Sequence, residues 1–126
     1  VLDRALAILA DPALAAIFGR DSRGEVPVIA QFSRTGEVLR LAGRIDRLIA
    51  GKPLRIVDFK SDANPPGPGE PVPAAYLTQL GLYRLALGKI FPDQTIEAAI
   101  LWTETGVLTP LDAPALEAAT NQFTVS

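Results

Sequence analysis

One run of twelve residues, DANPPGPGEPVP at positions 62–73, limits what this chain can fold into more than any other feature. It holds five prolines and two glycines, and proline lacks the backbone N–H that helix interiors and central strands need. Neither a helix nor a central strand can therefore pass through it. The run is a loop that separates a strand-like part of the chain from a part that begins with a helical pattern.

Three strands joined by tight turns are predicted before this loop. Val, Ile and Leu are frequent there, and apolar residues alternate with polar ones, which is typical of strands with one buried face. Leu48 falls outside this alternation, so we expect a change of phase or a β-bulge near it. Arg-Thr-Gly-Glu and Gly-Lys have the composition of hairpin turns. The strands are expected at 26–33, 38–50 and 53–61.

Helices are predicted near the two ends of the chain and directly after the loop. Two short helices are expected at about 1–10 and 12–18, and a long amphipathic helix over 74–91. A strand, a turn and a return strand follow within 95–111, and Asp112 caps a last helix. The order αα-βββ-α-ββ-α indicates an α/β or α+β fold with a mixed sheet. The long helix would be a crossover between neighbouring strands, which favours a parallel pair.

Composition places the chain among globular proteins and narrows its chemistry. Its 126 residues fit one domain, and 48% of them are hydrophobic. There is no cysteine for a disulfide and no histidine, the commonest metal ligand. The net charge of −2 gives no basic surface of the kind that many free-standing nucleic-acid binders carry. No apolar stretch is long enough to span a membrane, so we expect a soluble protein without a membrane partner. The absence of cysteine suits a cytoplasmic location.

The end of the third predicted strand carries the strongest candidate site. In the sequence LRIVDFKSD, Asp58 and Lys60 are two residues apart and point to the same face of the strand. Asp46 lies near the end of the preceding strand, and the turn between the two strands can bring the acids together. Neighbouring carboxylates repel unless they share a proton or a cation, and oxygen ligands suit Mg²⁺ or Mn²⁺. With a metal on the acids, Lys60 would orient a water or stabilise charge on a phosphate.

Three side chains of the long predicted helix form a second candidate group. Tyr76, Gln79 and Tyr83 are spaced i, i+3 and i+7, which places them on one helical stripe. Such a stripe can face a site at the sheet while its aromatic rings pack against the strands.

Three short motifs resemble those of a known family. GRID at 43–46, VDFK at 57–60 and QLGLY at 79–83 look like the G-x-x-D, D-x-K and Q-x-x-x-Y motifs of the RecB-family nucleases, within the PD-(D/E)XK superfamily. The sequence is most similar to the C-terminal nuclease domain of AddA-type subunits of bacterial helicase-nucleases, over roughly residues 25–105. The resemblance implies a restriction-endonuclease-like α/β fold, in which helices flank a mixed sheet.

The resemblance also implies catalytic roles at matching positions. Asp46 and Asp58 would be metal ligands, with the carbonyl of Phe59 as a third, and Lys60 would be the catalytic lysine. The metal would be Mg²⁺ or Mn²⁺. Together these groups would hydrolyse phosphodiester bonds of DNA.

Supporting roles are implied at three further positions. Gln79 and Tyr83 would contact DNA or support the site. Glu25 occupies a place where relatives often carry an acid, so it is a possible metal ligand. The family also uses a histidine ligand on an N-terminal helix. Because this sequence has no histidine, the resemblance implies that the helix lies upstream of Val1 and that the isolated module is weakly active or inactive.

By this resemblance, residues 1–126 are one nuclease domain, an exonuclease module from a larger, ATP-dependent helicase-nuclease that repairs double-strand breaks by homologous recombination. Its partners would be DNA, the helicase domains of the same longer chain and an AddB-type subunit.

Other interpretations of these residues stay open. The chain can instead be a non-catalytic scaffold of the same fold, or a stand-alone or CRISPR-associated nuclease of the family. Asp58 and Lys60 can form an ordinary ion pair at a strand end, Gln79 can be an exposed helix residue, and Tyr83 can belong to the core. Trp102 is expected in the core.

Overall fold

A computed structural model describes residues 12–67 and 69–126, so the helix expected at 1–10 lies outside the described residues. The helices are α1 Pro12–Ala15, followed by a 3₁₀ turn Ala16–Phe18, then α2 Ala74–Ile90 and α3 Ala113–Thr120. The strands are β1 Ser22–Arg34, β2 Glu37–Ile49, β3 Leu54–Lys60, β4 Ile96–Trp102, β5 Val107–Pro110 and β6 Thr124–Val125. Within the described part of the chain, no helix is long and apolar enough to cross a membrane.

All six strands of the described residues belong to one mixed sheet, with the order β5-β4-β3-β2-β1-β6. β1, β2 and β3 form the antiparallel meander that the two hairpin turns predict. The Pro-rich loop and α2 then carry the chain across to β4, which pairs parallel with β3 from Leu54–Ile96 to Lys60–Trp102. The predicted fold, an α/β mixed sheet flanked by helices, is confirmed.

Element boundaries differ from the predictions in three places. β1 begins at Ser22, earlier than expected, because its antiparallel pairing with β2 continues to Ser22–Ile49 although the residues there are polar. The helix expected at 12–18 is a single α-turn followed by a 3₁₀ turn. The short β6, which was not predicted, pairs with β1 at the sheet edge. Two residues are too few to produce an alternating pattern.

The main core lies between the sheet and α2, with α3 packed alongside. Leu80, Tyr83 and Leu87 are the largest buried residues of α2, and Trp102 of β4 is fully buried as predicted. Each large apolar side chain buried in this way stabilises the fold by about 1.5–3 kcal/mol. A smaller cluster on the opposite face of the sheet consists of Leu14, Ile17, Val57 and Leu101.

The face that β2 presents to α2 changes near the candidate site. Ile45 and Leu48 both pack into the α2 side of the core, whereas Ile49 packs with the smaller cluster on the opposite face. In a regular strand, residues three apart point to opposite faces. The change of phase predicted near Leu48 is therefore confirmed, and it falls between Ile45 and Leu48, at the position of Asp46.

Candidate functional site

The two predicted acids lie where β2 and β3 separate. Registered pairing between these strands ends at Arg47–Val57, and the next step outward in the same register places Asp46 opposite Asp58. Asp46 Oδ2 accepts a 2.7 Å hydrogen bond from the N–H of Phe59. The carboxylate of Asp46 thus occupies the gap that opens between the strands.

The carbonyl of Phe59 faces the same gap. In a ladder, the N–H and C=O of one residue face the same neighbouring strand, and successive residues alternate between the two neighbours. The N–H of Phe59 faces Asp46 of β2. The next carbonyl, that of Lys60, faces the opposite way and accepts a 2.8 Å hydrogen bond from the N–H of Thr103, just after β4. Three oxygen-bearing groups, the two carboxylates and the Phe59 carbonyl, therefore meet at the end of β3.

Asp58 is a charged group in a buried position. Its residue surface is 3% exposed, and Oδ2 lies 2.8 Å from Nζ of Lys60. Apart from this ion pair, no described residue gives Oδ2 a hydrogen bond. Burial raises the pKa of Asp58 to about 6; Lys60 opposes the rise and the nearby carboxyl group of Asp46 adds to it. A carboxylate that is costly to ionise beside a second acid has the electrostatics of a cation site.

Lys60 is held by α2 as well as by β3. Its Nζ donates a 2.7 Å hydrogen bond to Oε1 of Gln79 in addition to its contact with Asp58. Its side chain is only 17% exposed, so the ammonium has a fixed position at the mouth of the gap. The structure thus brings Lys60 and Gln79, which are 19 residues apart, into direct contact.

Tyr83 supports this arrangement from within the core. Its hydroxyl lies 3.4 Å from Nε2 of Gln79, from which it accepts a hydrogen bond, and donates a bond of 3.4 Å to the carbonyl of Arg44. Gly43 allows the close approach, because a Cβ at that position would lie 2.5 Å from the Tyr83 hydroxyl. The first position of GRID is therefore a glycine for a steric reason, and the sequence motif alone did not indicate this contact with Tyr83. The Q-x-x-x-Y spacing correctly indicated that Gln79 and Tyr83 share a face.

Glu25 is not brought together with the other acids. Its side chain is 78% exposed and lies 3.7 Å from Arg44 in a surface ion pair. The φ angle of Glu25 is +53°, in the left-handed region. Glu25 is absent from the registered pairs of β1 and β2, although the pairs on both sides of it place it opposite Asp46. The metal-ligand role predicted for it stays a prediction without support from this position.

The left-handed backbone of Glu25 lies opposite the point where β2 changes face and directs Asp46 toward Asp58. We therefore expect Glu25→Gly to keep the fold and to stabilise it by up to about 1 kcal/mol, because glycine adopts positive φ without strain. Glu25→Val is expected to destabilise it by about 1–2 kcal/mol, since a β-branched residue disfavours this conformation. Urea unfolding measures both changes, and the lost surface ion pair contributes little.

Metal binding by the same two variants separates a backbone role from a ligand role. If Glu25 acts only through its backbone conformation, Glu25→Gly is expected to bind Mn²⁺ as tightly as the wild type does. Loss of Mn²⁺ binding by both variants would instead assign the carboxylate of Glu25 to the metal.

Two residues at the site make contacts that had no clear signal in the sequence. Tyr76 lies on the predicted helical stripe, and its ring centroid is 4.4 Å from Nζ of Lys60. Its hydroxyl donates a 2.8 Å hydrogen bond to Oδ1 of Asp62. This hydrogen bond raises the pKa of Tyr76, and partial burial adds to the rise. Arg47, which directly follows Asp46, donates from Nε to the carbonyl of Ile17 at 3.0 Å. It joins the 3₁₀ turn to the sheet.

The residues at the gap fit a hard divalent cation. Within residues 12–67 and 69–126, no group of three or more His, Cys, Asp or Glu side chains is placed to hold a metal. Mg²⁺, however, is commonly bound through one or two carboxylates and completes its shell with water and substrate phosphates. Asp46, Asp58 and the carbonyl of Phe59 supply such an oxygen set, and a cation would compensate the buried Asp58 oxygen.

Comparison with known proteins gives one family match. A family model described as the PD-(D/E)XK nuclease superfamily matches residues 2–122. No curated protein matches the chain. The crystal structure of SSO0001 is similar, with a TM-score of 0.49 and 17% identity, and the match covers 95% of this chain. The chain spans 63% of the length of that protein.

Proposed function

This chain belongs to the PD-(D/E)XK nuclease superfamily, and from that premise we propose that it hydrolyses phosphodiester bonds of DNA with the help of a divalent metal. One observation carries the proposal. The buried carboxylate of Asp58 lies beside that of Asp46 and 2.8 Å from the ammonium of Lys60. A purely structural ion pair needs only one acid, and the second acid makes the cluster more costly to ionise.

Asp46, Asp58 and the carbonyl of Phe59 would hold Mg²⁺ or Mn²⁺. When bound, such an ion polarises a phosphoryl oxygen and lowers the pKa of a water molecule. The ammonium of Lys60, which lies 2.8 Å from Oδ2 of Asp58, would face the same phosphate.

Lys60 is the cationic side chain that this chain would use in the reaction. Its ammonium would stabilise the negative charge that develops on the phosphate in the transition state. Such stabilisation is effective when the charge is already in place, because no reorganisation is then needed during the reaction. Gln79 fixes the ammonium through a 2.7 Å hydrogen bond, and Tyr83 fixes the amide of Gln79 in turn.

Cleavage of end-labelled single-stranded and duplex DNA by an excess of the protein, under which even a weakly active module gives product, tests the proposal. We expect cleavage that requires Mg²⁺ or Mn²⁺, stops in EDTA and falls by at least about 100-fold in Asp46→Asn, since a metal supplies several kcal/mol of transition-state stabilisation. Asp93→Asn is the matched control, because Asp93 is an exposed acid in the turn before β4, at the opposite end of the sheet. Cleavage that does not depend on Asp46 would contradict the proposal.

We further propose the finer assignment to AddA-type helicase-nucleases. It is supported by the order of the three motifs, GRID, VDFK and QLGLY. In this proposal the chain is the nuclease module of a longer cytoplasmic protein that acts in double-strand-break repair, with helicase domains on the same chain and an AddB-type partner subunit. The test is ATP-dependent degradation of linear DNA by the full-length protein and its co-purified partner.

A non-catalytic scaffold is the second candidate function. It is favoured by the small number of acidic ligands that the described residues bring together. A scaffold predicts no Mn²⁺ binding by calorimetry and no difference between the wild type and Asp46→Asn. Binding that disappears in Asp46→Asn but persists in Asp93→Asn would exclude it.

A further inference from the structure

The ammonium of Lys60 is enclosed on three sides. Asp58 Oδ2 lies 2.8 Å from Nζ, Gln79 Oε1 accepts a hydrogen bond at 2.7 Å, and the ring centroid of Tyr76 lies 4.4 Å away. An ammonium within about 6 Å of an aromatic face is attracted to it by the ring quadrupole. The proposed mechanism uses Asp58 and Gln79 but gives no task to Tyr76.

The ring of Tyr76 is itself fixed at both ends. Its hydroxyl donates a 2.8 Å hydrogen bond to Oδ1 of Asp62. Its ring lies 6.1 Å from that of Trp102, centroid to centroid, with the planes tilted by 47°, and Trp102 is fully buried. Asp62 is the first residue of the Pro-rich run and Tyr76 lies three residues after its last. Their hydrogen bond therefore joins the two ends of that loop beside Lys60.

Resting on the proposed nuclease function, we propose that Tyr76 is a positioning residue that holds the ammonium of Lys60 in place for the phosphate. Lysine has a flexible four-carbon stem, and the loss of its rotamer entropy opposes its fixation. A neutral ring attracts the ammonium and leaves its charge unchanged, whereas a second carboxylate would neutralise that charge. The ring therefore adds no negative charge that would compete with an incoming phosphate for the ammonium of Lys60.

The position of Lys60 can be observed by NMR without any reaction. The chain has three lysines, Lys52, Lys60 and Lys89, so protein labelled with ¹³C at the lysine ε-carbon gives three signals, and Lys60→Gln identifies one of them. We expect an upfield ring-current shift of the Lys60 ε-protons in the wild type and in Tyr76→Phe. The shift should be lost in Tyr76→Leu, and the signals of the other two lysines should not change.

Steady-state cleavage kinetics of the same variants provide the second measurement. Tyr76→Leu is expected to lower kcat by about tenfold with little change in KM, since the contact acts on the transition-state charge. Tyr76→Phe keeps the ring face and should retain most of the wild-type kcat. Asp62→Asn, which keeps the ring and weakens only its outer anchor, should fall between the two.

Each outcome decides the proposal. An unchanged Lys60 signal and kcat in Tyr76→Leu would overturn the positioning role while leaving the nuclease proposal intact. Equal losses in Tyr76→Phe and Tyr76→Leu would overturn it as well, because they would assign the effect to the hydroxyl. If the wild type shows no metal-dependent cleavage, the proposed function fails and the catalytic purpose of the contact fails with it.

Discussion

Replacing Asp58 with Asn is expected to stabilise the metal-free protein and to abolish cleavage at the same time. Burial raises the pKa of Asp58 from an ordinary 3.8 to about 6, so the folded chain binds this proton more tightly than the unfolded chain does. Stability contributed by the protonated group is fully present below about pH 4 and is lost as the pH rises to about 6. Above that pH the ionised group destabilises the fold by up to about 3 kcal/mol, which the neutral amide avoids.

Urea unfolding in EDTA at pH 4 and at pH 8 measures this effect. We expect Asp58→Asn to exceed the wild type in the free energy of unfolding at pH 8 and to approach it at pH 4, while Asp93→Asn matches the wild type at both. If Asp58→Asn is the less stable protein at pH 8, the ion pair with Lys60 outweighs the cost of burying the carboxylate.

The same substitution should reverse its effect when metal is added. Mg²⁺ or Mn²⁺ that binds only the folded wild type stabilises it by mass action, so the melting temperature of the wild type should rise and that of Asp58→Asn should not. Cleavage by Asp58→Asn should fall by at least about 100-fold. A protein that becomes more stable as it loses activity is the expected signature of a site that evolved for a cation.

Gly43→Ala is the second substitution expected to have a large effect. The added Cβ would lie 2.5 Å from the hydroxyl of Tyr83 and 3.0 Å from its Cε1, and Tyr83 is 3% exposed within the core. The ring or the strand must shift, which costs about 1–3 kcal/mol for an overpacked core. The shift also moves the hydroxyl away from Gln79, so cleavage should weaken together with stability.

Thermal unfolding and the cleavage assay measure both consequences. Gly88→Ala is the matched control, because a Cβ there meets nothing within 4 Å and alanine favours a helix by about 1 kcal/mol relative to glycine. The double variant Gly43→Ala with Tyr83→Phe removes the closest contact, so its loss of stability should be smaller than the sum of the two single losses. Strictly additive losses would show that the two residues do not clash.

Spacing along the chain determined which of these residues share a face. Asp58 and Lys60 lie two apart on a strand, and Gln79 and Tyr83 lie four apart on a helix, so local periodicity alone aligns each pair. The Pro-rich run likewise separated the strands of the meander from the crossover helix, because proline excludes regular structure wherever it is dense. These inferences needed no knowledge of the partners across the fold.

Only the tertiary structure decided how these groups meet. Asp46 reaches Asp58 because β2 changes face beside it, opposite the left-handed backbone of Glu25, and the ring of Tyr76 reaches Lys60 because α2 packs against the end of β3. Such distances depend on strand register and helix docking, which are set by the packing of the whole core. The sequence therefore predicted the groups, and the packing of β2, β3 and α2 determined which of them come into contact.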